Sequence, residues 1–223
     1  VCGLVLINFS WNQGPVVGWT EPYVYIILIV GIISIGVFTY ACKISMYPIV
    51  PSLCLKGEVA LVLGCICAGW SCFGIWLYYT FRWAATVDKS STILAVVMFT
   101  PGPIAGLIAA ALTVILLKRT SSLVVMLIAM LAFFTGIVLM GTRSPGPIYW
   151  GQAFVSLIVQ CFGMDMTFAA GILILTNIFP RTQRGLAGSL VSTRVSYSIS
   201  LGLGLAGTGE YYTTAGLVRN IQP

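Results

Sequence analysis

Six long apolar runs, each with at most one charged residue, constrain this chain more than any other feature. A bilayer core about 30 Å thick needs roughly 20 apolar residues in a helix that rises 1.5 Å per residue. The runs therefore predict a single all-α domain, a polytopic membrane helical bundle, with a partial helix at 1–9 before the six full spans. The predicted spans cover residues 23–42, 59–81, 92–117, 123–141, 148–179 and 186–207.

The composition excludes a soluble domain. Only 7% of the 223 residues are charged and the mean hydropathy is +1.02, whereas soluble domains carry about 25% charged residues. Lipid must therefore solvate most of the surface. The chain has no histidine, the commonest general base and metal ligand near neutral pH. We therefore predict no enzymatic activity, no metal site and no cofactor.

The basic residues predict an orientation in the membrane. The chain has a net charge of +6, but its lysines and arginines lie scattered in short gaps between apolar runs, which argues against nucleic acid as a partner. Alternating loops put six basic residues on one side and four on the other, and the richer side is predicted to be cytoplasmic. The loop 10–21 then faces outside, together with Arg82, Arg143 and Glu210. The six cytoplasmic residues are Lys43, Lys56, Lys118, Arg119, Arg181 and Arg184.

Three short motifs match patterns for a metal or redox site, a dinucleotide-binding site and a glycosylation site, but each has a simpler interpretation. Cys65-x-Cys67 lies inside an apolar run with no further ligand nearby, so we interpret both cysteines as small residues of a membrane helix. The stretch 202–207 matches G-x-G-x-x-G, but it closes a membrane span instead of linking a strand to a helix. Asn8-Phe9-Ser10 matches the glycosylation sequon but lies too close to the membrane to serve as a site.

Proline and glycine interrupt the third predicted span. Pro101 and Pro103 free backbone carbonyls and bend the helix, while Gly102 and Gly106 have the spacing of a small-residue contact between helices. Two interpretations remain open from the sequence. The segment is either a site of close helix packing or a hinge that moves during transport.

Asp165 and Arg194 are the two charged residues inside predicted spans. Charges at this depth cost several kcal/mol, so they usually face the bundle interior or a water-filled cavity. Counted from the cytoplasmic ends of their spans, both lie at middle depth. We predict them as proton-coupling or bundle-charge residues. They either pair with each other, or Asp165 takes up a proton, or each makes a static contact.

Polar side chains form a stripe on each of the last two spans. On the fifth span, Asp165 lies roughly opposite its stripe at 100° per residue. Either Gly163 distorts this helix, or one of the two sets faces a neighbouring helix. Both stripes are candidates for a polar pathway, although such hydroxyls commonly bond to their own backbone. The stripe residues are Gln152, Ser156, Gln160, Gly163 and Thr167 on the fifth span, and Ser189, Thr193, Ser196 and Ser200 on the sixth.

Several stretches resemble one family of membrane proteins. They are NFSWNQGPVVGW at 8–19, LGCICAGW at 63–70, FGIW at 73–76, FGMDMTF at 162–168, SLVST at 189–193 and YSISLGLG at 197–204. Together they resemble the C-terminal half of fungal multidrug transporters of the major facilitator superfamily, of the fourteen-span drug:proton antiporter type. The resemblance covers nearly the whole chain.

The resemblance implies a function and its partners. It implies two bundles of six helices that rock about a central cavity and export small organic molecules in exchange for protons, in the plasma or vacuolar membrane. The N-terminal bundle is expected to be missing from this chain. Asp165 matches an acidic position of the family, whereas Arg194 departs from an apolar one. The alternative is a non-transporting remnant or a membrane scaffold fragment.

Overall fold

The computed structural model describes residues 2–19, 21–44, 57–86, 91–143 and 151–221. Lys56, Asp88, Lys89 and the start of the fifth predicted span at Ile148 lie outside these residues. The described chain is built from α-helices, with one short 3-10 turn at Arg181–Gln183. The helices are α1 (Cys2–Val17), α2 (Pro22–Ile44), α3 (Gly57–Thr86), α4 (Thr92–Phe99), α5 (Pro101–Arg119), α6 (Ser122–Gly141), α7 (Ala153–Ile178) and α8 (Arg184–Ile221).

Five stretches of the described chain are long and apolar enough to cross a membrane, at 22–41, 57–86, 93–119, 122–141 and 153–178. They coincide with the first five predicted spans. The sixth predicted span lies within α8, which continues past Gly207 to Ile221. α8 continues through Glu210, whose carboxylate is paired with Arg82 of α3.

The helix α1 extends further than the sequence predicted. Residues 10–17, predicted as part of an outer loop, continue the helix to Val17 with Pro15 inside it. The helix ends at Gly18, whose φ of 104° is a left-handed conformation that glycine adopts without strain, and its N–H donates to the Gly14 carbonyl. Ser10 is fully buried. The segment was misjudged because its polar residues pack against α8 instead of facing water.

The helical hydrogen bonding of the third predicted span is interrupted at Thr100, immediately before the Pro-Gly-Pro segment, although the Thr100 backbone keeps helical angles (φ −55°, ψ −33°). α4 ends at Phe99, the Thr100 N–H donates to the Val97 carbonyl at 3.1 Å, and Pro101 begins α5. Proline has no N–H to continue the helical ladder, so the break falls where the sequence predicted an interruption.

Pairs of contacts give the relative directions of α3, α5, α6, α7 and α8. Ser71 donates to the Ser198 carbonyl at 2.8 Å, and Arg82 forms an ion pair with Glu210 at 2.5 Å, so α3 and α8 run parallel. α5 and α7 also run parallel, whereas α6 runs antiparallel to α7. These directions agree with alternating crossings of the membrane, and Arg82 and Glu210 meet at the end predicted to lie outside.

Close helix contacts rely on residues without side chains. A Cβ on Gly202 would lie 2.8 Å from Ser71 of α3, and one on Gly69 would lie 2.7 Å from the Phe133 ring of α6. Such contacts are how membrane helices approach one another when lipid supplies little hydrophobic drive. The apolar core between α3, α6, α7 and α8 includes Ile66, Val125, Leu175 and Val191.

Candidate functional site

A cavity of about 490 Å³ lies between α3, α5 and α7, and we call it the central cavity. Its volume is in the range typical of sites for small organic ligands. The wall is mostly apolar and aromatic, Asp165 of α7 brings a carboxylate to it, and Gln160 borders it with a fully buried side chain. The lining residues are Phe73, Trp76, Leu77, Phe99, Gly102, Pro103, Gly106, Leu107, Ala110, Leu157, Gln160, Cys161, Met164 and Asp165.

Asp165 lies at the middle of its helix. It is the thirteenth of the 26 residues of α7, about 18 Å from the first at 1.5 Å per residue. Its side chain is half-buried and faces α5, where a Cβ added to Gly106 would lie 3.6 Å from Oδ2. Among the described residues no ion pair joins Asp165 to Arg194. The carboxylate therefore borders the cavity at mid-membrane depth without a basic partner from α8.

The break between α4 and α5 borders the same cavity. Phe99 ends α4 at the cavity wall, and Gly102 and Pro103 follow in the first turn of α5. Cys161 Sγ donates to the Gly102 carbonyl at 3.5 Å. A Cβ on Gly102 or Gly106 would be at ordinary contact distance, 3.6 Å or more from its neighbours. These two glycines therefore leave space beside the cavity, and neither is in close contact with the backbone of another helix.

The polar stripe of α7 packs against α6. α7 is unbroken, so Gly163 does not distort it; the Gly163 backbone lies against the Phe133 ring. Ser156, Gln160 and Thr167 are fully buried, and Thr167 donates to its own backbone at Gly163. One of the two sequence alternatives therefore holds: the stripe faces a neighbouring helix. Gln152 lies just before α7 and caps it without a side-chain hydrogen bond.

Gln160 belongs to both the α6 contact and the cavity wall. Its side chain lies against Gly136 of α6, where an added Cβ would be 2.8 Å from Cδ. Among the described residues neither atom of its amide has a hydrogen-bond partner. A buried amide without partners costs free energy unless a water or ligand satisfies it.

Trp76 of α3 is joined to α6 and α7 through one hydroxyl. Its indole Nε1 donates to Ser156 Oγ at 2.7 Å, and Ser156 Oγ in turn donates to the Gly136 carbonyl at 2.7 Å. The indole also packs on Phe73 and Phe99, with ring centroids 5.9 and 6.0 Å away. The sequence suggested Trp76 as part of an aromatic belt at the membrane interface and of the stretch 73–76, whereas its side chain is buried in the bundle; its partners lie on other helices, so no local pattern indicates them.

The remaining predicted residues lie on α8, away from the central cavity. Arg194 is exposed on the described surface, and Ser189 donates to its own backbone at Leu186. Thr193 and Ser196 line a second cavity, about 680 Å³, between α1 and α8. The structure therefore divides the predicted polar residues between two regions.

Sequence reasoning also missed a polar cluster that joins α1 to α8. Asn12 Nδ2 donates to Asn8 Oδ1 at 2.7 Å, and it also lies 3.2 Å from the Ser200 carbonyl. Ser200 Oγ donates to Asn8 Oδ1 at 2.6 Å. The two asparagines were assigned to a sequon and an outer loop. Their four-residue spacing, which puts both on one helix face, was the signal available in the sequence.

Comparison with known proteins shows relatives among fungal transporters. The chain is 48% identical to an uncharacterised MFS-type transporter of Schizosaccharomyces pombe and 46% identical to a low affinity ammonium transporter of Saccharomyces cerevisiae, over 94% of its length. It is 38% identical to the efflux pump terG of Aspergillus terreus, also over 94% of its length. No protein-family model matches the chain, and no solved structure matches it significantly.

The chain spans about two fifths of these relatives, 40% of the first, 41% of the second and 40% of the third. The similarity, the helical fold and the five apolar helices confirm the predicted all-α membrane bundle and its resemblance. The relatives named here are transporters and an efflux pump. The chain is an integral membrane protein that is similar, over 94% of its length, to fungal transporters of the major facilitator superfamily.

Proposed function

We propose that the full-length protein exports small organic molecules in exchange for protons, and that this chain supplies the bundle that holds the substrate. The observation that carries the proposal is the mid-membrane position of the Asp165 carboxylate in a cavity of about 490 Å³. A carboxylate at this depth is a default candidate for a proton relay. The efflux pumps among the relatives support the direction of transport.

The wall of the central cavity suits a flat, mainly apolar ligand. Phe73, Trp76 and Phe99 offer aromatic surfaces in a wall that also carries the Asp165 carboxylate. Ligand sites commonly combine an apolar wall with a few polar groups that fix orientation. The Pro-Gly-Pro segment beside this cavity interrupts the hydrogen bonding of a membrane-spanning helix, and interrupted helices are a feature of transporter sites near the bilayer midplane.

The proposal includes parts beyond this chain. A second bundle, the N-terminal one, would close the central cavity from the other side, and the two bundles would rock about it. Arg194 and the second cavity, with Thr193 and Ser196, would border that moving interface and add to the polar pathway. The plasma or vacuolar membrane would host the protein. A remnant or scaffold would need neither a cavity nor a carboxylate at this depth.

Transport by the full-length protein in proteoliposomes tests the proposal. We expect an imposed pH gradient to drive accumulation of a small aromatic compound such as aminotriazole, which the name of one relative, an aminotriazole resistance protein of Saccharomyces cerevisiae, suggests as a first probe. Collapse of the gradient with a protonophore should abolish the accumulation. If a panel of such compounds shows no gradient-dependent movement, the proposed function is wrong.

Filling the central cavity should stop transport without unfolding the protein. We expect Gly106→Leu to reduce substrate flux at least tenfold, because the new side chain occupies space beside Asp165 while its Cβ meets only ordinary contacts. Gly64→Leu on α3 is the matched control and should retain parental flux, because no atom of the described residues lies within 4 Å of its added Cβ. Equal flux in both variants would place the substrate elsewhere.

A second candidate substrate is ammonium, since one relative at 46% identity is named a low affinity ammonium transporter. The same vesicles distinguish the two by using radiolabelled methylammonium as the probe. Uptake of methylammonium that Gly106→Leu reduces, together with no movement of the aromatic compounds, would favour the small cation.

A further inference from the structure

Trp76 separates two cavities of the bundle. Its side chain is 2% exposed and borders both the central cavity and a further cavity of about 360 Å³. We call this further cavity the end cavity, because it lies at the C-terminal ends of α3 and α6. It is distinct from the cavity between α1 and α8. The end cavity is lined by Ile75, Trp76, Tyr79, Arg82, Trp83, Thr86, Ile137, Met140 and Gly141.

The end cavity lies toward the predicted outer side of the membrane. Arg82 of its wall is paired with Glu210, and the Tyr79 hydroxyl donates to the same carboxylate at 3.1 Å. Arg82 is 43% exposed. The central cavity and the end cavity therefore lie one after the other, with the indole between them. The first contains the Asp165 carboxylate at the middle of the membrane, and the second ends near the surface at Tyr79, Arg82 and Glu210.

A single hydroxyl holds the indole in place. Ser156 accepts from Trp76 Nε1 and donates to the Gly136 carbonyl, so α3, α6 and α7 meet at one oxygen. Ser156 is fully buried, and no bulk water replaces these bonds when one breaks. The indole also packs on Phe73 and Phe99 and belongs to an apolar cluster with Met140, Leu157 and Cys161, and these contacts have no fixed direction. The two hydrogen bonds therefore define one closed position.

We infer that the Trp76 indole is a gate between the central cavity and the end cavity, latched by Ser156. When the Trp76–Ser156 bond breaks, the indole moves out of the wall and the two cavities join into one path toward the outer side. The inference rests on the proposed function, because it takes the central cavity as the substrate site. Trp76 is thus a gating residue, and Ser156 positions it.

Thiol labelling of the full-length protein tests the gate without measuring transport. Cys161 lines the central cavity and is kept as the sole cysteine. A membrane-impermeant methanethiosulfonate is then added outside right-side-out vesicles. We expect Ser156→Ala to raise the labelling rate of Cys161 about three- to tenfold, the change that loss of one ordinary buried hydrogen bond produces in a two-state equilibrium. Trp76→Phe, which keeps an aromatic ring but has no N–H, should raise it as well.

Thr167→Val is the matched control. Thr167 is also a fully buried hydroxyl residue of α7, but it bonds only to its own backbone at Gly163. Its variant should label at the parental rate. Unchanged labelling in both Ser156→Ala and Trp76→Phe would overturn the gate, and so would an equal rise in Thr167→Val, which would indicate general loosening. Faster labelling in the two gate variants of a protein that moves no substrate would uphold the gate and reject the proposed function.

Discussion

Asp165→Asn should reduce substrate accumulation across a pH gradient to the level of vesicles without protein. Asparagine has nearly the same shape as aspartate but cannot take up or release a proton, so the exchange loses its coupled ion. Folding should be unaffected, because Asp165 is half-buried and is not ion-paired with Arg194 in the described structure. Its replacement therefore leaves no buried charge without a partner on α8.

The measurement is accumulation by the full-length protein in proteoliposomes with an inside-acid gradient, beside exchange of labelled for unlabelled substrate without a gradient. The variant should lose accumulation and keep exchange, because binding and rocking do not need net proton movement. Glu58→Gln, the same change at an exposed carboxylate in the first turn of α3, is the control and should keep accumulation. Normal accumulation in Asp165→Asn would show that the proton is carried elsewhere.

Gly202→Val should prevent stable association of α3 with α8. The first atom of the new side chain would lie 2.8 Å from the Cα, Cβ and carbonyl oxygen of Ser71. A neighbouring backbone cannot move aside as a flexible side chain can, so the helices must separate and lose the Ser71–Ser198 hydrogen bond. We expect a loss of about 3 kcal/mol or more, at the upper end of the cost of overpacking.

Thermal stability of the detergent-solubilised protein, followed by fluorescence-detected size-exclusion chromatography, measures this effect. Gly209→Val on the same helix is the matched control, since within the described parts of the chain no atom lies within 4 Å of its added Cβ. The first variant should lose most of its monodisperse peak or melt many degrees lower, and the control should resemble the parent. Similar melting of the two variants would mean that α3 and α8 are not in close contact.

Hydropathy predicted the helices well because the bilayer imposes a length on every crossing. The first five spans, the interruption before Pro101 and the mid-depth position of Asp165 all follow from residue type and spacing along one chain. None of these features depends on which helices are neighbours. The same reasoning failed at 10–17, where polar residues indicated a loop although their partners lie on another helix.

The helix faces could not be predicted in the same way. In a soluble helix, an apolar stripe marks the buried side, but a membrane helix is apolar on all sides, so the pattern does not tell the core face from the lipid face. Gln160 and Asp165 therefore appeared to face different regions, although both border the central cavity. Pairings such as Trp76 with Ser156 or Asn8 with Ser200 join residues 80 and 192 positions apart, beyond any local signal.

The cluster of Asn8, Asn12 and Ser200 has a mechanical consequence. A rearrangement that pulled α1 away from α8 would leave three polar side chains facing hydrocarbon, at a cost of several kcal/mol. The two helices should consequently translate and rotate as one rigid body. Spin labels on the lipid-facing sides of α1 and α8 would then keep a constant separation through the transport cycle. The conformational change of each cycle would therefore take place at contacts between other helices.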